Sequence, residues 1–171
     1  QSAMHGFTRK LLRFRRAHPS LHRSRYLLGI EAPLDLDPDG YTRVAWHGVR
    51  PYEPDWSDEN QLVCFTLTEA VDDVAIHVMI NMAAEARNVT LPEPAIGRVW
   101  ARAIDTAMDS PNDITAVGEE ERYDDERYRL TARSVVVLVS QGTRDFVPGP
   151  TGRMLAITPV QVVGPGGSQD D

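Results

Sequence analysis

The chain has 171 residues, of which 42% are apolar and 25% charged, and a net charge of −7. That length suits one domain with appendages and a sizeable core, and the composition excludes disordered, collagenous and multi-span membrane classes. A single cysteine, Cys64, excludes an internal disulfide; with neither a secretory leader nor a span-length apolar run in view, a reducing cytoplasm is the expected location.

Gln1, Ser2 and Ala3 read as a cloning remnant and are set aside. Before Ile30 there are seven basic side chains (Arg9, Lys10, Arg13, Arg15, Arg16, Arg23, Arg25) and no acid, so the acid excess belongs to the rest of the chain. A basic end of this kind is more often a solvated helix face, or one docked on an acidic neighbour, than a nucleic-acid contact. No nucleic-acid or membrane partner is expected. Residues 7–17 place Phe7, Leu11 and Phe14 at helical spacing, with Leu12 beside them, and His18-Pro19 ends the helix. An isolated helix of that length is marginal in water. It must pack across the domain that follows, on a domain upstream, or on a second copy of the chain as a homodimer.

Residues 21–30 form a connector with a short strand at 26–30, and residues 35–40 (Asp-Leu-Asp-Pro-Asp-Gly) form a turn. A strand is expected at 41–46, then an aromatic and proline-rich ordered loop through Ser57. Residues 62–68 read as a strand with Val63, Phe65 and Leu67 on one face. The cleanest alternation follows at 74–80, with Val74, Ile76, Val78 and Ile80 expected inward and Ala75, His77 and Met79 on the other face. Further strands are expected at 88–91 and 98–104, then an acidic loop over 105–113 and an exposed charged stretch over 119–127. Residues 128–130 lead into Ser134–Ser140, written Ser-Val-Val-Val-Leu-Val-Ser. Its run of β-branched residues suits a strand covered on both faces, which requires two layers. After Gly142 a Gly/Pro-rich tail carries one apolar patch at 154–163. Short strands separated by turn signals predict a mainly β protein, an antiparallel β-sandwich with one N-terminal amphipathic helix.

Chemistry-bearing motifs are absent: no G-x-G-x-x-G, Walker loop, H-E-x-x-H, C-x-x-C or G-x-S-x-G occurs. His5, His18, His22, His47 and His77 lack metal-ligand spacing, and no cofactor is implied. Cys64 lies in an apolar strand and reads as a buried, inert thiol. Carboxylates such as Glu53, Asp55, Asp105 and Asp109 could in principle pair for glycosidic acid–base work, but runs of acids are usually solvated faces. Among the aromatics, Trp46 and Trp100 read as core fillers on alternating strands. Trp56 and Tyr52 are the candidate substrate-binding residues, since sugars offer an apolar C–H face to an aromatic ring.

Trp46-His47-Gly48 followed by Pro54-Asp55-Trp56-Ser57 resembles the loop after the catalytic barrel in isoamylases and bacterial glycogen-debranching enzymes of the α-amylase clan. The strand ending in Asn81-Met82-Ala83 is similar to that family's apolar strand. Trp100-Ala101-Arg102-Ala103-Ile104-Asp105-Thr106, then Asp109-Ser110-Pro111-Asn112-Asp113, resembles its strand with an Asp-Thr pair and an acidic Ser-Pro loop. Leu130 to Leu138 is similar to the clan's closing strand. Phe7-Thr8-Arg9-Lys10-Leu11-Leu12 with Arg15-Arg16-Ala17-His18-Pro19-Ser20-Leu21 resembles the last barrel helix and its exit. The resemblance implies that residues 1–25 are the remnant and barrel exit, 26–141 a C-terminal β-sandwich and 142–171 a tail. It also implies a parent that hydrolyses α-1,6 branches of glycogen or starch with carboxylates at barrel strand ends. None of those strands is in this chain, so no catalytic residue is expected here. The implied partner is the parent's own barrel, with α-glucan as a possible ligand. A second class of reading is a stand-alone carbohydrate-binding sandwich using Trp56 and Tyr52.

Overall fold

The computed structural model describes residues 3–22, 27–29, 43–68 and 74–143. The turn expected at 35–40 and the apolar patch at 154–163 lie outside the described residues.

Helix α1 (Ala3–Ala17) is followed by a 3-10 turn at Pro19–Leu21 and strand β1 (Leu28–Gly29). The remaining strands are β2 (Arg43–His47), β3 (Leu62–Thr68), β4 (Ala75–Asn81), β5 (Arg87–Thr90), β6 (Arg98–Asp105), β7 (Glu121–Tyr123), β8 (Arg127–Leu130) and β9 (Ser134–Gly142). They form a seven-stranded sheet in the order β1-β2-β3-β4-β9-β6-β7 and a two-stranded sheet of β5 and β8. All pairings are antiparallel except β1 with β2. Strand β9 sits between β4 and β6, and Val136, Leu138 and Val139 are buried, as a run apolar on both faces requires.

Two cores lie on opposite faces of the large sheet. On the first, Leu62, Cys64, Met79, Trp100, Val136 and Leu138 pack against Val89, Tyr128 and Leu130 of the small sheet. This is the interior of the sandwich. On the second, Ile76, Ala101, Ala103, Ile104, Val137 and Val139 pack beneath Phe14, with Phe7 and Leu21 partly buried beside it. The docked face of α1 is therefore Phe7, Lys10 and Phe14, at i, i+3 and i+7. Lys10 Nζ donates to the carbonyls of Pro111 and Ile114 at 3.0 and 2.8 Å, tying the helix to the loop after β6. Leu11 and Leu12, expected on the packing side, are exposed.

One local expectation is corrected. In β4 the inter-sheet face is Ala75, His77, Met79 and Asn81, all buried, while Ile76 and Val78 face the helix side. In β3 Val63, Phe65 and Leu67 share one face, as expected, and the opposite face, toward the small sheet, is Leu62, Cys64 and Thr66. Alternation reveals two faces, but it does not say which of two covered faces is the deeper. The charged stretch at 119–127 is largely exposed, as expected, and within it Glu121–Tyr123 adds an edge strand to β6.

In the β6–β9 ladder Arg102 opposes Leu138 and Ile104 opposes Val137, so Ala103 is an extra residue, a β-bulge.

Candidate functional site

Both aromatic candidates sit on the connection between β2 and β3, and the structure sends them to different faces. Consecutive residues of a strand point to opposite sides of the sheet. Trp46 therefore faces the α1 side with its cross-strand partner Phe65, and His47 faces the sandwich interior with Cys64. The Trp56 ring lies on Trp46, edge to face, with centroids 5.4 Å apart, and Phe65 lies 5.5 Å from Trp46 on the other flank. Tyr52 instead packs its ring on His47 at 4.9 Å. Trp46 is 42% exposed, which corrects the expectation that it fills the core; Trp100 does fill it, at 5%. Trp56 and Tyr52 are 66% and 59% exposed, so both are available to a ligand or a protein surface.

The loop that carries them is tightly held. A side chain at Gly48 would place its Cβ 2.2 Å from the Glu53 carbonyl oxygen, so only glycine allows the chain to fold back here. Tyr52 adopts φ +62°, the left-handed region that costs a bulky residue free energy. Its N–H donates to His47 Nδ1 at 2.9 Å. At the Trp56 end, Ser57 N–H donates to Asp55 Oδ1 at 3.0 Å, which holds the Asp55 carboxyl below its ordinary pKa. Asn60 Nδ2 bridges the carbonyls of Asp55 and Leu62 at 2.6 and 2.7 Å.

Behind Tyr52 runs a buried polar chain with one consistent proton order. Because His47 Nδ1 accepts from Tyr52, its ring proton is on Nε2, 2.8 Å from Thr66 Oγ1. Thr66 then donates to His77 Nδ1 at 2.9 Å, which leaves the His77 proton on Nε2. That nitrogen has no hydrogen-bond partner among the described residues. Burial lowers the His47 pKa to about 4. Burial, and secondarily the charge of His47, lowers that of His77 to about 3. Both rings are neutral at pH 7 and act as positioning groups. Metal-ligand spacing does not single out these histidines in the sequence. The available signal was a histidine in each of the two strands that flank β3, whose Thr66 lies between them.

The residues that carry the family resemblance act as ties between loops. Asn81 Nδ2 donates to Glu85 O and Thr131 O at 2.8 and 2.9 Å, and its Oδ1 accepts from Ala83 N–H. Asp105 accepts from the Tyr128 hydroxyl at 2.7 Å and from Ala107 N–H. Together with burial, that bond raises the Tyr128 pKa. Thr106 Oγ1 accepts from Val135 N–H. Asp105 is thus occupied in joining the two sheets and is not free for acid–base work. Burial pushes the Cys64 thiol up to about 12, which suits an inert group. Among the described residues no cluster of three or more His, Cys, Asp or Glu could hold a metal ion.

A family model described as "Isoamylase 1-3, C-terminal" matches residues 45–141. Isoamylase SU1, chloroplastic, of Zea mays is 34% identical over 80 residues, 47% of this chain and 10% of that protein. Isoamylase 3, chloroplastic, of Oryza sativa subsp. japonica is 26% identical over 133 residues, 77% of this chain and 15% of that protein. The isoamylase of Flavobacterium sp is 26% identical over 146 residues, 79% of this chain and 18% of that protein. The chain therefore spans less than a fifth of the length of each of these relatives. Among solved structures, a GH30 endoxylanase from Clostridium papyrosolvens C71 overlays 51% of this chain and 21% of its own at a TM-score of 0.33 and 18% identity. An overlay that loose bears on neither fold nor function.

Proposed function

Because the chain belongs to the Isoamylase 1-3 C-terminal family, we propose that it is the carboxy-terminal β-sandwich of an isoamylase-type debranching enzyme. The parent hydrolyses α-1,6 branch linkages of glycogen or starch, and this part carries no catalytic residue. It stabilises the catalytic barrel by covering an apolar flank of it.

The observation that carries this reading is the uneven cover on one face of the large sheet. Helix α1 packs over β4, β9 and β6. Over β2 and β3, the same face presents Trp46 and Trp56 to solvent, with Val63 and Phe65 half-buried. Adjacent apolar side chains exposed in this way mark contact surfaces, and aromatic residues are enriched in such contacts. The relatives supply the occupant, since most of their length lies outside the matched part.

An immunoblot of source cells with an antibody to this chain is the direct test. A polypeptide several times heavier than 19.1 kDa, active on α-1,6 branches, is the expected result. A band at the size of this chain would overturn the proposal. In the heavy polypeptide, Trp46→Asp with Trp56→Asp should lower the thermal midpoint of the debranching activity. The same pair of changes in the isolated chain should leave its own midpoint nearly unchanged.

A further inference from the structure

On the side of the sandwich away from Trp46 and Trp56, Tyr52 stands at the edge of a cleft of about 880 Å³. That volume falls within the ~300–1,000 Å³ typical of small-molecule sites. Its walls are residues 51–52, the segment 90–96, and β7 with the acidic turn after it. All three walls are pinned by hydrogen bonds. Thr90 N–H donates to Val49 O at 2.9 Å and Leu91 N–H to Glu126 O at 2.9 Å. Trp100 Nε1 donates to Pro92 O at 2.7 Å, and Tyr123 OH to Arg127 O at 2.6 Å. The cleft is therefore formed before any ligand arrives, which lowers the ordering cost of binding.

Its chemistry is specific in kind. The apolar surface comes from the flat rings of Tyr52 and Tyr123, the edge of Trp100, prolines and Ile96. Four carboxylates (Glu93, Asp124, Asp125, Glu126) line it against one guanidinium, Arg122, which is already paired with Asp124. An anionic ligand such as a phosphate or nucleotide would meet net repulsion. A neutral polyol suits both parts, because carboxylates accept hydroxyl hydrogen bonds and aromatic faces take C–H surfaces. The left-handed backbone at Tyr52 and the His47–Thr66–His77 chain behind it fix an exposed ring at the cleft mouth, at a cost that ring packing on the loop alone does not require.

We infer that this cleft binds a short neutral oligosaccharide, with Tyr52 as its stacking face. That the sugar is an α-glucan rests on the proposed function; that the site takes a sugar rests on the cleft. The test is a titration of the 171-residue chain with maltohexaose and, separately, cellohexaose at millimolar concentration, followed by amide and indole nuclear magnetic resonance. Shifts at Tyr52, Ile96, Tyr123 and the Trp100 indole with maltohexaose are the expected result. Tyr52→Gly, whose backbone suits the left-handed conformation, should keep the fold and weaken binding about tenfold, while Trp56→Ala leaves it unchanged. Cleft shifts with cellohexaose alone would uphold the sugar site and count against the α-glucan reading of the parent. No shift with either sugar, shifts confined to Trp46 and Trp56, or unaltered binding in Tyr52→Gly would overturn the inference.

Discussion

One face of the seven-stranded sheet is closed by β5 and β8, and every residue of that core lies between Leu62 and Leu138. The opposite face is closed in part by α1, through Phe7, Phe14 and Leu21. The first core falls wholly within the family-matched span of 45–141, whereas the helix that covers the second lies before it. The difference separates a sandwich that is complete from within from a face that depends on whatever the chain brings to it. Sheet-on-sheet closure is a property of the domain. Closure of the outer face is shared with a helix and, in our proposal, with a neighbouring domain.

Four outcomes would sharpen or break that contrast. The largest effect belongs to the closed core: Leu138→Ala should cost about 3 kcal/mol of global stability by urea unfolding, with a single cooperative transition. Phe14→Ala should cost about 2 kcal/mol, but locally. Amides of α1 would then exchange rapidly while those of β9 stay protected. If Phe14→Ala instead shifted the β9 amides equally, the two faces would form one cooperative unit.

The buried histidines give an intermediate effect through pH. Both folded-state pKa values lie below the ordinary 6.5, so the unfolded chain takes up protons first as pH falls. The stability they support is full above about pH 6.5 and is lost toward about 4 for His47 and about 3 for His77. A His47→Gln, His77→Gln pair should flatten the unfolding midpoint across pH 4 to 6.5. A profile unchanged by the pair would assign the acid loss to other groups. The smallest effect is expected at the open patch, where Trp56→Ala should alter the stability of this chain by less than about 0.5 kcal/mol. A loss of several times that would mean that the ring is structural here.

Much of this architecture was legible in the sequence, for physical reasons that differ by element. Ser134–Ser140 announced a doubly covered strand because five apolar residues in succession leave no solvent face. The segment 62–68 matched β3 end to end, since period-two patterning and β-branched composition agree there. The depth of each face was not legible. In β4 the β-branched Ile76 and Val78 suggested the interior, yet Met79 and Ala75 occupy it because the small sheet brings Tyr128 and Leu130 to meet them. The helix likewise spends a lysine on its docked face, Lys10, because loop carbonyls await it there, and that pairing spans some hundred residues of sequence. For the site, residue type alone points to Tyr52 and Trp56. Their separation onto two faces follows from the one-residue alternation at Trp46 and His47, and from a left-handed turn that only coordinates reveal.

The bulge at Ala103 gives β6 two reading frames. Up to Arg102 the even-numbered positions face the sandwich interior, as Trp100 does, and the odd ones face the helix, as Ala101 does. After the extra residue the frame inverts: Ile104 turns to the helix side, and Asp105 to the interior, where it meets Tyr128. Ironing out the bulge with Ala103 kept, so that it opposes Val137, would aim a carboxylate at the helix and an isoleucine at a phenol, whereas deleting Ala103 would leave Ile104 opposite Val137 and Asp105 opposite Val136, on the faces they hold now. In this strand the loss of Ala103 keeps both frames, so it should be tolerated, while a one-residue slip of the ladder with Ala103 in place would turn over every side chain after it.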